Sequence, residues 1–170
     1  MGIAHTGLYV IMGVCGSGKS LIGAMLAREL DIAFVEGDDL HPAENVHRMA
    51  AGIALTDDDR QGWLIAIAAR LREAQRAGIG LVASCSALKR SYRDLLRSAG
   101  DPGVRFVHLK GTRALLAERM AQRRGHFMPG SLLDSQLATL EEPSPDERAW
   151  VCDITQTPHA IIVDLVRRAA

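Results

Sequence analysis

Eight consecutive residues, Gly13-Val14-Cys15-Gly16-Ser17-Gly18-Lys19-Ser20, spell a G-x-x-x-x-G-K-S loop directly behind the apolar run Leu8 to Met12. Such a loop binds phosphate. Glycines at 13, 16 and 18, with Cys15 and Ser17 between them, let successive backbone N–H groups turn inward into a nest for anions. Lys19 can reach the outer phosphates, and the Ser20 hydroxyl can ligate Mg²⁺. The helical pattern that follows, opening at Leu21, points its positive end at the same phosphates. The ligand expected is a nucleoside triphosphate.

A second set of residues has the chemistry of an acceptor site. Glu36-Gly37-Asp38-Asp39-Leu40-His41-Pro42 follows the second strand-like run. Asp38 beside a phosphate cleft can take the proton of an attacking hydroxyl, orient that hydroxyl, or support Mg²⁺ from its second shell. An ordinary Gly-Asp turn would account for the same residues. Asp38 is favoured because the run at 81–85 ends in Ser84-Cys85-Ser86, without the strand-end carboxylate that supports Mg²⁺ in many triphosphatases. In Leu55 to Trp63, Thr56 reads as a helix cap with acids in the first turn, while Arg60 is open to either substrate contact or surface charge. Lys89 and Arg93 are four apart behind the third strand, a spacing suited to two-point capture of a carboxylate or phosphate.

A third cluster, Arg119, Arg123, Arg124 and His126, runs into Phe127-Met128-Pro129-Gly130. Arginines on a mobile segment can close over a triphosphate, exclude water and stabilise the transferring phosphoryl group, a catalytic task assigned here to Arg124. His41 and His126 are the histidines expected in the cleft, and neither has a partner at metal-ligand spacing. Thr157, capping the last helix before Pro158, is expected beside the phosphate loop at the edge of the adenine.

The elements that must hold these residues follow from apolar periodicity. Strand-length runs recur at 8–12, 33–36, 80–85, 105–109 and 150–154, separated by helical patterns at 19–30, 43–51, 58–77, 89–99, 112–123, 131–140 and 158–169. Regular alternation predicts an α/β fold with a five-stranded parallel sheet covered on both faces, its ligands gathered at the carboxyl ends of the strands. The 170 residues suffice for a single domain, 1–170, with a substrate-binding insertion at about 38–62 and a lid at about 123–143. Twenty basic residues balance twenty acidic ones, so no net field draws nucleic acid or an anionic membrane, and small molecules are the expected partners. Three scattered cysteines fit neither a disulfide framework nor a zinc site and suit a reducing cytoplasm. Neither a membrane-length apolar run nor an export signal is visible.

Together these residues resemble the gluconate kinase family. The resemblance runs from Gly-Val-Cys-Gly-Ser-Gly-Lys-Ser through Gly-Asp-Asp-Leu-His-Pro-Ala-Glu-Asn, Leu-Thr-Asp-Asp-Asp-Arg and Cys-Ser-Ala-Leu-Lys-Arg-Ser-Tyr-Arg to Arg-Gly-His-Phe-Met-Pro, Leu-Leu-Asp-Ser-Gln and Pro-Asp-Glu. It implies a fold shared with nucleoside monophosphate and shikimate kinases, ATP and Mg²⁺ as cofactors, and phosphorylation of D-gluconate at its 6-hydroxyl, usually by a homodimer. It further implies that Asp38, His41, Arg48, Arg60, Lys89, Arg93 and His126 line the sugar-acid pocket. Arg119, Arg123 and Arg124 would belong to the lid and nucleotide. The family commonly has Ser where this chain has Cys15, a place where the backbone N–H does the binding.

Overall fold

Five strand-length runs pair in parallel in the computed structural model, which describes residues 5–99, 103–123 and 130–170. The strands are β1 (Leu8–Met12), β2 (Ala33–Glu36), β3 (Leu81–Ser84), β4 (Val104–Lys110) and β5 (Trp150–Asp153), in the order β2-β3-β1-β4-β5. Every residue of β1 is buried, as a central strand covered on both faces must be. Its registers, Leu8 against Leu81 on one side and against Val104 on the other, bring the carboxyl ends of β1, β3 and β4 level. Because the chain leaves β1 for one half of the sheet and later returns to its other side, the turn after β1 lies at the reversal of strand order, where such sheets bind ligands.

Seven helices are described: α1 (Lys19–Glu29), α2 (Ala43–Ala50), α3 (Asp57–Ala77), α4 (Arg90–Ser98), α5 (Arg113–Gln122), α6 (Gly130–Thr139) and α7 (Pro158–Ala169). The expected boundaries hold to within a residue or two. Helix α3 shows why: Thr56 Oγ1 accepts from the Asp59 N–H at 3.1 Å, Asp59 returns the bond to the Thr56 N–H at 2.9 Å, and Gly78 stops the helix at φ 66°. Its face of Trp63, Leu64, Ile67, Leu71 and Ala74 recurs at helical spacing and packs into the core. The stretch 38–62 supplies a short 3-10 turn (Gly37–Leu40), α2 and the first turn of α3, all on the strand-end side of the sheet. A second 3-10 turn, Pro145–Glu147, was not expected from the sequence. No helix among the described residues is long and apolar enough to cross a membrane.

Candidate active site

The buried strand β1 delivers the chain into a loop that only glycine can build. Gly16 and Gly18 have φ of 82° and 92°, and a Cβ on Gly13 would come within 2.9 Å of the Leu109 carbonyl oxygen. Gly18 caps α1 without a side-chain hydrogen bond, and the first turn carries no acid, whereas α3 carries three. The start of α1 is thus left available to an anion. Lys19 Nζ folds back to the Val14 carbonyl at 3.1 Å; burial lowers its pKa, with the Asp38 carboxylate opposing the shift. The Cys15 N–H donates to Gln136 Oε1 of α6 at 2.8 Å, so an oxygen already occupies one position of the nest. Among the described residues, Ser17 Oγ is buried without a hydrogen-bond partner. These donors fit a polyphosphate, and the exposed Ser20 hydroxyl lines the adjoining cleft.

Asp38 is fixed through its neighbour. The Gly37 N–H donates to Ser84 Oγ at 2.9 Å, Ser84 Oγ donates to the Glu36 carboxylate, and Trp63 Nε1 donates to the Gly37 carbonyl at 2.7 Å. A Cβ on Gly37 would sit 1.9 Å from the Ser84 carbonyl oxygen, so no other residue permits this approach of β2 to β3. Both peptide groups flanking the Gly37 Cα are held, and the Asp38 carboxylate faces the cleft from an exposed position.

Opposite the loop, His41 stacks on Trp63 with ring centroids 4.0 Å apart and planes 15° apart. Burial lowers the His41 pKa; Asp38 pulls it up and Arg60 pushes it down, leaving the imidazole neutral near pH 7. Its Nδ1 lies 3.4 Å from Asn45 Nδ2, which also donates to the Asp59 carbonyl at 2.8 Å. Arg60, in the first turn of α3, is buried and donates to Tyr92 Oη at 3.0 Å. Lys19, Ser20, Asp38, His41, Arg60 and Trp63 line one cleft. An adjoining cleft shares Cys15, Ser20, Asp38 and Arg123 and adds Glu36. A phosphate cradle, a carboxylate and a buried cation therefore meet in one continuous space.

A family model described as an AAA domain matches residues 8–143. A gluconokinase of Gluconobacter oxydans (strain 621H) is 48% identical over 158 residues, 93% of this chain and 88% of that protein. The thermoresistant gluconokinase of Escherichia coli (strain K12) is 42% identical over 160 residues, 94% and 91% of the two chains. The crystal structure of a gluconokinase from Sinorhizobium meliloti 1021 superposes with a TM-score of 0.87 at 48% identity, covering 98% of this chain and 95% of that one. The chain belongs to the gluconokinase family.

Within this gluconokinase-family chain, the expected site residues divide by what they touch. Cys15, Gly16, Gly18, Lys19, Ser20, Asp38, His41, Arg60 and Arg123 converge on the clefts, with Gly13 and Ser17 in the loop behind them. Leu21 is exposed at the start of α1. Thr157 caps α7, accepting from the Ala160 N–H at 3.2 Å, and Arg119 donates to the Ile154 carbonyl at 2.5 Å, holding the turn before that helix. Arg48 pairs with Asp59 at 3.3 Å and Glu44 at 3.6 Å and does not line the cleft. Arg124 and His126 lie outside the described residues.

The two-point capture expected of Lys89 and Arg93 is corrected. Arg93 is fully buried, its guanidinium bound to Glu147 and to the carbonyls of Ala87 and Leu88. Lys89 is the cap of α4, with extended φ −100° and ψ 149°, so its side chain leaves the helical face that Arg93 shares with Arg97 and instead reaches Asp57 at 3.0 Å. Sequence reasoning also missed Ser84, Trp63, Gln136 and Tyr92. Ser84 was visible as a polar residue ending an apolar strand, but its task of holding Gly37 depends on a contact 47 residues away.

Proposed function

We propose that this chain transfers the γ-phosphoryl group of ATP to the 6-hydroxyl of D-gluconate, forming 6-phospho-D-gluconate. The observation that carries the reading is the meeting of Lys19, Asp38 and buried Arg60 in a single cleft of a gluconokinase-family chain. The loop amides and Lys19 cradle the outer phosphates, and the acceptor hydroxyl is oriented by Asp38, which accepts its proton as the bond to phosphorus forms. The Ser20 hydroxyl would hold Mg²⁺, which would supply neutralisation of charge on the transferring group. Arg60 takes the acid end of gluconate, and neutral His41 hydrogen-bonds a hydroxyl of the sugar chain.

Residues 123–143 act as a lid that keeps water from the triphosphate, with Arg123 and Arg124 assigned to the nucleotide and the transferring group. His126 is kept as an outer contact to the sugar acid, and Thr157 and Arg119 as the nucleotide's edge. Family membership further supports a cytoplasmic homodimer, which light scattering would read as twice the chain mass.

The test is turnover. Purified protein with ATP, Mg²⁺ and gluconate is expected to form a product that 6-phosphogluconate dehydrogenase oxidises. Equal or greater turnover of shikimate, a nucleoside monophosphate or glucose would contradict the reading.

A further inference from the structure

Arg60 is a buried cation held by a neutral partner. Two acids of the first turn of α3 whose charges act on Arg60 are engaged elsewhere, Asp57 with Lys89 at 3.0 Å and Asp59 with Arg48 at 3.3 Å. What holds the Arg60 guanidinium is the phenol of Tyr92, at 3.0 Å from Nη1, with the ring centroid 5.6 Å from the guanidinium carbon. Tyr92 comes from α4, is itself buried, and gives its one hydroxyl proton to Asp57. With that proton committed, only oxygen lone pairs remain for Arg60. Asp57 in turn receives Lys89 Nζ on both oxygens, at 3.0 and 3.1 Å. The result is an ordered chain from Lys89 through Asp57 and Tyr92 to Arg60, in which each bond polarises the next.

We propose that Tyr92 is a positioning residue for the acceptor: it fixes the Arg60 guanidinium while keeping it apart from the Asp57 carboxylate. The proposal rests on gluconate being the acceptor and on Arg60 taking its acid end. A direct Arg60–Asp57 pair would put an internal carboxylate where the substrate's carboxylate must bind, and the site would lose affinity for sugar acids. A phenol avoids that loss because it accepts a hydrogen bond without carrying charge. Burial, reinforced by Asp57, raises the Tyr92 pKa, so the phenol stays neutral across the working pH range. Tyr92 thereby sets specificity without touching the substrate.

The experiment compares wild type with Tyr92→Phe, which keeps the ring and removes the hydroxyl. The expected result is a KM for gluconate raised about five- to twentyfold, with kcat, ADP affinity by calorimetry and the melting temperature little changed. In an Asp57→Asn background the competing carboxylate is absent, and the same substitution is expected to raise KM less than threefold. Wild-type turnover of gluconate tests the acceptor reading separately, and its absence would remove that reading and this proposal together. With wild type active, an unchanged KM in folded Tyr92→Phe overturns the role of Tyr92 and leaves the acceptor reading standing. So does a loss of ADP affinity and melting temperature in step with KM, or an equal KM penalty with and without the Asp57 carboxylate.

Discussion

At the scale of single residues, Asp38 bears the heaviest chemical assignment, and the structure isolates its side chain from its support. Gly37 is clamped by Ser84 and Trp63, so replacing the carboxylate by an amide leaves the backbone where it is. Asp38→Asn is therefore expected to lower kcat by about 10²- to 10⁴-fold, the usual worth of a positioned proton acceptor, while the KM for ATP moves only a few-fold. Steady-state kinetics on the folded variant checks it, and a kcat near wild type would remove the assignment. The candidate residues most legible in the sequence were those whose work is local. The loop from Gly13 to Ser20 needs only glycines, a lysine and a hydroxyl in fixed order, and His41 needed only to follow the end of β2, whereas Arg60, beyond α2, was placed in the pocket by the family resemblance and not by its local sequence. Arg93 was misread because a spacing of four places two side chains on one face only when both residues are helical, and nothing local reveals that Glu147 waits in the interior.

At the scale of elements, two contacts tie the helices to the site. The buried pair of Arg93 and Glu147, joined by Arg97, fastens α4 to the 3-10 turn before β5. Although burial alone would raise the Glu147 pKa, hydrogen bonds from Arg93, Arg97 and the Ser144 N–H lower it to about 2. A carboxylate depressed in the folded state binds fewer protons there than when unfolded. Its stabilisation is thus present above its ordinary pKa of 4.5 and is lost as pH falls from there through about 2. Glu147→Gln strands the buried Arg93 charge and is expected to cost about 3 kcal/mol, roughly 10 °C of melting temperature, and to flatten the acid limb of stability. Melting curves between neutral pH and pH 3 would show it; an unchanged limb would contradict it.

The second contact joins α6 to the phosphate loop through Gln136 Oε1 on the Cys15 N–H. A phosphate oxygen bound at that amide must displace the glutamine. Gln136→Ala is accordingly expected to tighten ADP binding about two- to tenfold, the equivalent of one net hydrogen bond no longer in competition, as calorimetry would read. Weaker binding would instead make Gln136 a nucleotide ligand. Neither contact could be foreseen from periodicity, which located the helices to within a residue or two but says nothing of which polar side chains cross between them.

At the scale of the whole molecule, strand order does what no residue does alone. By setting β1 between β3 and β4, the sheet brings the loop after β1 level with the ends of β3 and β4, while β2, paired with β3, presents Asp38 to the same cleft. Alternation of strands and helices made that architecture readable, since parallel pairing requires a crossover between strands and buried strands must be apolar on both faces. In the proposed reaction the nucleotide lies on one side of the cleft, with gluconate across from it, acid end toward Arg60 and terminal alcohol toward Asp38. A crystal structure with gluconate and a non-hydrolysable ATP analogue measures this directly. The prediction is the gluconate 6-oxygen within hydrogen-bond distance of the Asp38 carboxylate and in line with the terminal phosphate. Gluconate bound outside the cleft, or reversed with its carboxylate at the phosphate loop, would contradict the account.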